Sequence, residues 1–100
     1  MAAEISLSDC SVHKKFGGEY CTCMIITPAT ADSADYIDTT TLVRDNEILG
    51  ILGWDVDTGD AITATYGTGT GYITLDAGGS DTNSTYAVEI KYIGADMNIL

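Results

Sequence analysis

One hundred residues, 45% of them hydrophobic, 19% charged and a single one proline, are expected to form one ordered domain with its own core, because a disordered chain carries far less apolar material. Fifteen acidic residues against four basic ones leave a net charge of −11, which repels nucleic acid and anionic lipid and removes both as expected partners. No run approaches the roughly 18–20 apolar residues of a membrane-spanning helix, and the opening MAAEISLSDC lacks the segments of a secretory signal, so synthesis in a cytoplasm is the expectation.

Residues 1–19 mix small, polar and charged side chains. His13-Lys14-Lys15-Phe16 is their only basic cluster, and Gly17-Gly18 follow as a hinge. This stretch reads as an N-terminal arm that packs on the domain or reaches a neighbouring subunit, and residues 20–100 read as the β domain. From Tyr20 to Thr27 the chain is apolar on both parities, the pattern of a strand covered on both faces. Pro28 ends it, and the small and acidic residues that follow form a loop. Tyr36–Leu42 alternates as a second strand, and Arg44-Asp45-Asn46 is a turn.

Glu47–Trp54, EILGILGW, has helix as its competitor. Two glycines in eight residues cost a helix about 1 kcal/mol each, whereas a strand tolerates glycine where another chain segment passes close, so strand is preferred. Asp55–Asp60 turns the chain into Ala61–Ala77, AITATYGTGTGYITLDA. Here Ile62, Ala64, Tyr66, Ile73 and Leu75 alternate with threonines around a glycine-rich turn, which is a β-hairpin with one apolar face. Gly78–Ser84 is another turn, and Thr85–Ile93 sets Tyr86, Val88, Ile90 and Tyr92 on one face. Six short strands with glycine- and aspartate-rich turns predict an all-β, single-domain antiparallel β-sandwich or small β-barrel behind the arm. The chain then runs to Ile99-Leu100, aliphatics suited to docking on a neighbour.

Chemistry is sparsely marked. Cys10, His13, Cys21 and Cys23 offer zinc four ligands, but Cys21 and Cys23 sit about 6.6–7 Å apart on one strand face instead of in a tight turn. The plainer reading makes them small core residues and Cys10 a free thiol or an arm contact, with a disulfide through Cys10 as the remaining option; three cysteines do not close a disulfide framework. Asp55, Asp57 and Asp60 around Gly59 resemble the start of a calcium loop without its later glutamate, so a solvated turn competes with a cation site. Gly67-Thr68-Gly69-Thr70-Gly71 opens onto a strand and not a helix, which removes phosphate binding. His13 has no evident orienting partner, and no carboxylate pair stands out, so neither enzyme activity nor a cofactor is expected. Trp54, Tyr66, Tyr72, Tyr86 and Tyr92 suit a sugar-stacking surface in type, but four of the five fall on apolar faces and read as core or subunit contacts.

The order of features across about residues 20–95 resembles small head decoration (cement) proteins of tailed bacterial or archaeal viruses. The stretches that carry the resemblance are the strand running into TPATADSADYIDTTTL, then ILGILGW, then DAITATYGTGTGYITLDAGGSDTNSTYAVEIKYIGA. It implies a non-enzymatic, often trimeric subunit on the capsid exterior that binds the major capsid protein. Contacts to capsid or to sister subunits are then expected from His13, Lys14, Lys15 and Phe16 of the arm and from Leu49, Ile51, Leu52 and Trp54, with deletion of residues 1–16 sparing the fold. Two alternatives are a carbohydrate-binding or adhesion module and a calcium-dependent structural module.

Overall fold

The computed structural model describes residues 3–17, 20–42, 48–67, 69–78 and 84–93, and of residues 16, 17, 20 and 93 the backbone alone. Among these residues, seven strands follow a short 3-10 turn at Leu7–Asp9: β1 (Ser11–Gly17), β2 (Tyr20–Ile26), β3 (Tyr36–Asp38), β4 (Ile48–Asp55), β5 (Ala61–Gly67), β6 (Tyr72–Asp76) and β7 (Tyr86–Ile93). They form one sheet in the order β1-β2-β7-β4-β5-β6-β3, antiparallel throughout. The expected all-β antiparallel fold is therefore present, as a single sheet curled into a half-barrel.

The curl has a local cause. β4 and β5 share only the pairs Gly53↔Ile62 and Trp54↔Ala61. The larger half, β1-β2-β7-β4, and the smaller half, β5-β6-β3, diverge from that corner, and their inner faces meet. Cys21, Cys23 and Ile25 of β2 and Tyr86, Val88, Ile90 and Tyr92 of β7 join Ile37, Ile73 and Leu75 from the smaller half in one core. Alternation puts them there: in β6, Ile73 and Leu75 are buried while Tyr72, Thr74 and Asp76 are exposed. Ile62, Ala64 and Tyr66 of β5 pack half-buried on the same core.

The two glycines of β4 have different reasons. A Cβ on Gly53 would lie 3.1 Å from Ile62 Cγ1 and 3.2 Å from the Ala64 Cβ, while one on Gly50 would meet nothing within 4 Å. Gly53 is thus where β5 crosses close to β4, and Gly50 is not constrained in this way. Gly53→Ala is expected to lower stability by about 1–2 kcal/mol and Gly50→Ala to leave it unchanged or slightly raised, as read by urea denaturation.

Two expectations change. The segment read as an arm is partly built into the sheet: Ser11–Gly17 is strand β1, paired along its length with β2. Ahead of it, Ile5 donates its N–H to the Tyr36 carbonyl (2.7 Å), the Tyr36 N–H donates to the Ala3 carbonyl (3.0 Å), and Glu4 makes a parallel bridge to Tyr36. Ile5 is 7% exposed and belongs to the core. Residues 3–10 therefore run from β3, one edge of the sheet, to β1, the other. Lys14 Nζ adds a second tie across the same gap, donating to the Leu42 carbonyl at 2.9 Å. A deletion through residue 16 removes a strand and a core residue, so it does not spare the fold.

The second strand is also shorter than expected, ending at Asp38. Thr39 turns inward, donating both its N–H (2.9 Å) and its hydroxyl (2.7 Å) to the Gly71 carbonyl. The Asp38 carboxylate then accepts the N–H (3.0 Å) and hydroxyl (2.7 Å) of Thr40. These bonds hold the Asp38 carboxyl below the usual carboxylate range, the backbone bond most. Gly71, at φ +75°, approaches the Thr40 side chain so closely that a Cβ has no room. Finally, the turn expected at Arg44–Asn46, most of that at 78–84 and the chain end at 95–100 lie outside the described residues.

Candidate functional site

Register alone determines what the outer face of the larger half carries. One row across it reads Lys15 (β1), Thr22 (β2), Lys91 (β7), Gly50 (β4); the next reads His13, Met24, Glu89, Leu52; the third reads Ser11, Ile26, Ala87, Trp54. Residues paired in register share a face, so Met24 and Ile26 on one side and Leu52 and Trp54 on the other form two apolar patches with Glu89 and Ala87 between them, flanked by Lys15, Lys91 and His13. Lys15 and Lys91, two strand spacings apart, stand about 10 Å from each other. Ala87, between Ile26 and Trp54, is only 2% exposed.

β4 supplies the exposed apolar part of this face. Its register slips between Ile48 and Gly50, leaving Leu49 as the extra residue of a β-bulge. Without that bulge Ile48 and Ile51 would fall on opposite faces; with it both pack on the core, while Leu49 and Leu52 stand 53% and 59% exposed. A bulge re-aims side chains in this way at the cost of one unpaired residue.

The eight expected contact residues come from strands separated by β2 and β7, yet His13, Lys15, Leu52 and Trp54 share this face, and Leu49 is exposed at the bulge in the same strand as Leu52 and Trp54. Lys14 does not, since it stands opposite Cys23 and reaches Leu42. Ile51 faces the core, and only the backbone of Phe16 is described. Met24, Ile26, Ala87 and Lys91 belong to the face as well. The apolar character of β2 on both parities was the available signal for the first two.

The other constellations resolve into structural roles. Cys21 and Cys23 are buried and Cys10 is half-buried, all three unpaired as thiols. Cys10 Sγ donates to the Ser6 carbonyl at 3.4 Å. Burial, and then the Asp9 carboxylate, push its thiol pKa up; burial also raises that of Cys23, with Lys14 opposing. Ellman's reagent at pH 8 is expected to modify Cys10 slowly in the native protein and all three thiols rapidly in denaturant. Fast native reaction of all three would contradict the core placement.

No group of three His, Cys, Asp or Glu side chains suited to a metal ion occurs among the described residues. In the Asp55–Asp60 turn, Asp55 Oδ1 accepts the Asp57 N–H at 2.8 Å, Gly59 donates its N–H to the Asp55 carbonyl at 2.7 Å, and Asp57 Oδ2 accepts the Thr85 N–H at 3.2 Å. These carboxylates close the turn and fasten it to the start of β7. Of the aromatics, Tyr86 and Tyr92 are core, Tyr66 and Trp54 are half-buried, and Tyr72 is exposed.

No protein-family model matches the chain, and neither a curated protein nor a solved structure matches it. The functional reading therefore rests on the site itself and on the resemblance of sequence pattern.

Proposed function

We propose that this chain is a non-enzymatic structural subunit of a tailed-virus particle, a decoration protein. In this reading it is made in the host cytoplasm and seats the outer face of β1-β2-β7-β4 against the exterior of the major capsid lattice and against sister copies in a trimer. The observation that carries the reading is the pair Leu49 and Leu52, each more than half exposed in the strand that borders the outer face of the larger half. Burying the exposed half of each contributes roughly 1–2 kcal/mol to a contact. Lys15 and Lys91 outnumber the one carboxylate of the three rows, Glu89, which leaves that face slightly positive on a chain of net charge −11, fits an acidic partner surface and orients the approach. An outer sheet face of strand residues, with charged side chains among apolar ones, suits docking and not turnover of a small substrate, which takes place in a concave pocket. The only histidine, His13, stands opposite Met24 on this open face, with no orienting hydrogen bond from it among the described residues, whereas acid–base work needs one.

The test is addition of the purified chain to shells of the major capsid protein encoded with it. Saturable co-sedimentation at a fixed ratio to capsid subunits is expected. Shells that sediment without it would overturn the proposal.

A further inference from the structure

The outer face of the smaller half has a different chemistry. Register places Tyr36, Thr74 and Thr65 in one row across it, with Asp38 and Tyr72 in the row on one side and Asp76 and Thr63 in the row on the other. Tyr36 and Tyr72 are diagonal neighbours on adjacent strands, and their rings stack with centroids 4.7 Å apart at 26°. The inner faces of the two halves enclose one core, so this face looks away from the outer face of the larger half.

We propose that the face binds a neutral glycan, with one pyranose ring stacked on Tyr72 and hydrogen-bonded to Asp38, Thr65 and Thr74, and with Asp76, four residues along β6, taking hydroxyls of the adjoining sugar. Three features prepare it. Tyr72 is exposed and is backed by the half-buried Tyr36, whose backbone is fixed between β6 and the Ala3–Ile5 segment, so the ring is oriented before any ligand arrives. Its neighbour in β5 is Gly67, and the place a Cβ would take there is held by the Thr70 hydroxyl, which also accepts the Tyr72 N–H at 3.3 Å and adds a polar group next to this row. The hydroxyls of Thr65 and Thr74 make no hydrogen bond to other described residues, and Asp38 and Asp76 each engage neighbours through Oδ1, leaving acceptors for a diol. Aromatic faces take the C–H side of a pyranose while flanking acceptors take its hydroxyl rim. With two carboxylates and no basic residue in these rows, a sulfated or uronic polymer is repelled, which selects neutral sugars.

The experiment is a titration of the full chain, followed by amide chemical shifts, with cellohexaose, maltohexaose and chitohexaose, and with polygalacturonate as the acidic comparison. At least one neutral hexasaccharide is expected to bind saturably, with shifts confined to β3, β5 and β6. Tyr72→Ala is expected to weaken binding about tenfold or more and Tyr72→Phe to retain it. Absence of binding by all three, binding that survives Tyr72→Ala, shifts centred on β2 and β7, or equal binding of polygalacturonate would each overturn the inference. The shift map on the unsubstituted chain decides the location even if a variant is poorly folded. Failure of capsid docking leaves this test unaffected, because the two faces share no residue.

Discussion

Removal of residues 1–10 is expected to abolish the cooperative unfolding transition or to shift it far toward zero denaturant. The segment contributes Ile5 to the core and the two backbone bonds that link Ala3 and Ile5 to Tyr36. A further bond runs from the Ala3 N–H to Asp35 Oδ1 at 3.1 Å. Burial of one isoleucine is worth about 1.5–3 kcal/mol and each bond about 0.5–1.5 kcal/mol. Their sum, roughly 3–7 kcal/mol, is a large part of the 5–15 kcal/mol that holds a typical domain together. The loss also opens a seam, since the segment joins the two edge strands of the curled sheet and caps the outer edge of β3. Ile5→Ala is the milder form, with about 2–4 kcal/mol expected from the cavity. Urea titration followed by Trp54 fluorescence and near-ultraviolet circular dichroism measures both. A truncated chain with the midpoint of the full one would mean that the segment is a dispensable arm after all.

The second large effect concerns binding. Leu49→Asp together with Leu52→Asp is expected to reduce occupancy of capsid shells by at least about a hundredfold in affinity, because two apolar contacts are lost and two carboxylates must be desolvated or repelled. Stability should change by less than about 1 kcal/mol, since both side chains already face solvent. Lys15→Glu with Lys91→Glu should instead slow association and change its salt dependence, as charges at the rim of a contact do. Loss of binding accompanied by unfolding would point to a structural role for β4 and not to a docking face.

Much of the fold was legible from residue pattern, and the parts that were not have identifiable causes. The Ala61–Ala77 hairpin and the last strand declared themselves because period-two alternation coincided with turn residues. EILGILGW was read as a strand on the supposition that a glycine marks close approach, and Gly53 against Ile62 meets that condition. Strand β1 was missed because Ser11-Val12-His13-Lys14-Lys15 has little apolar content: an edge strand needs one inward residue in two, and here Lys14 takes an inward position while its ammonium reaches Leu42. The second strand was overextended because Thr39–Leu42 has high strand propensity, and the bonds of Thr39 to Gly71 override it.

The candidate site was legible in its residues but not in its assembly. His13 and Leu52 are 39 positions apart, and only the order β1-β2-β7-β4 brings them to one face. The bulge at Leu49 was also invisible, because it arises from the pairing of β4 with β7 and not from any local motif. Tyr36 was passed over among the aromatics since its role depends on a neighbour 36 residues away.

The central claim is that the Met24–Trp54 face is the one a partner covers. Hydroxyl-radical footprinting, with mass spectrometry of the chain free and bound to capsid shells, tests it directly, because Met24 and Trp54 are both readily oxidised and both lie on that face. The account predicts that oxidation of Met24 and Trp54 falls sharply on binding while that of Tyr72, on the opposite face, is unchanged. Protection of Tyr72 with Met24 and Trp54 still oxidised at the free rate would contradict it.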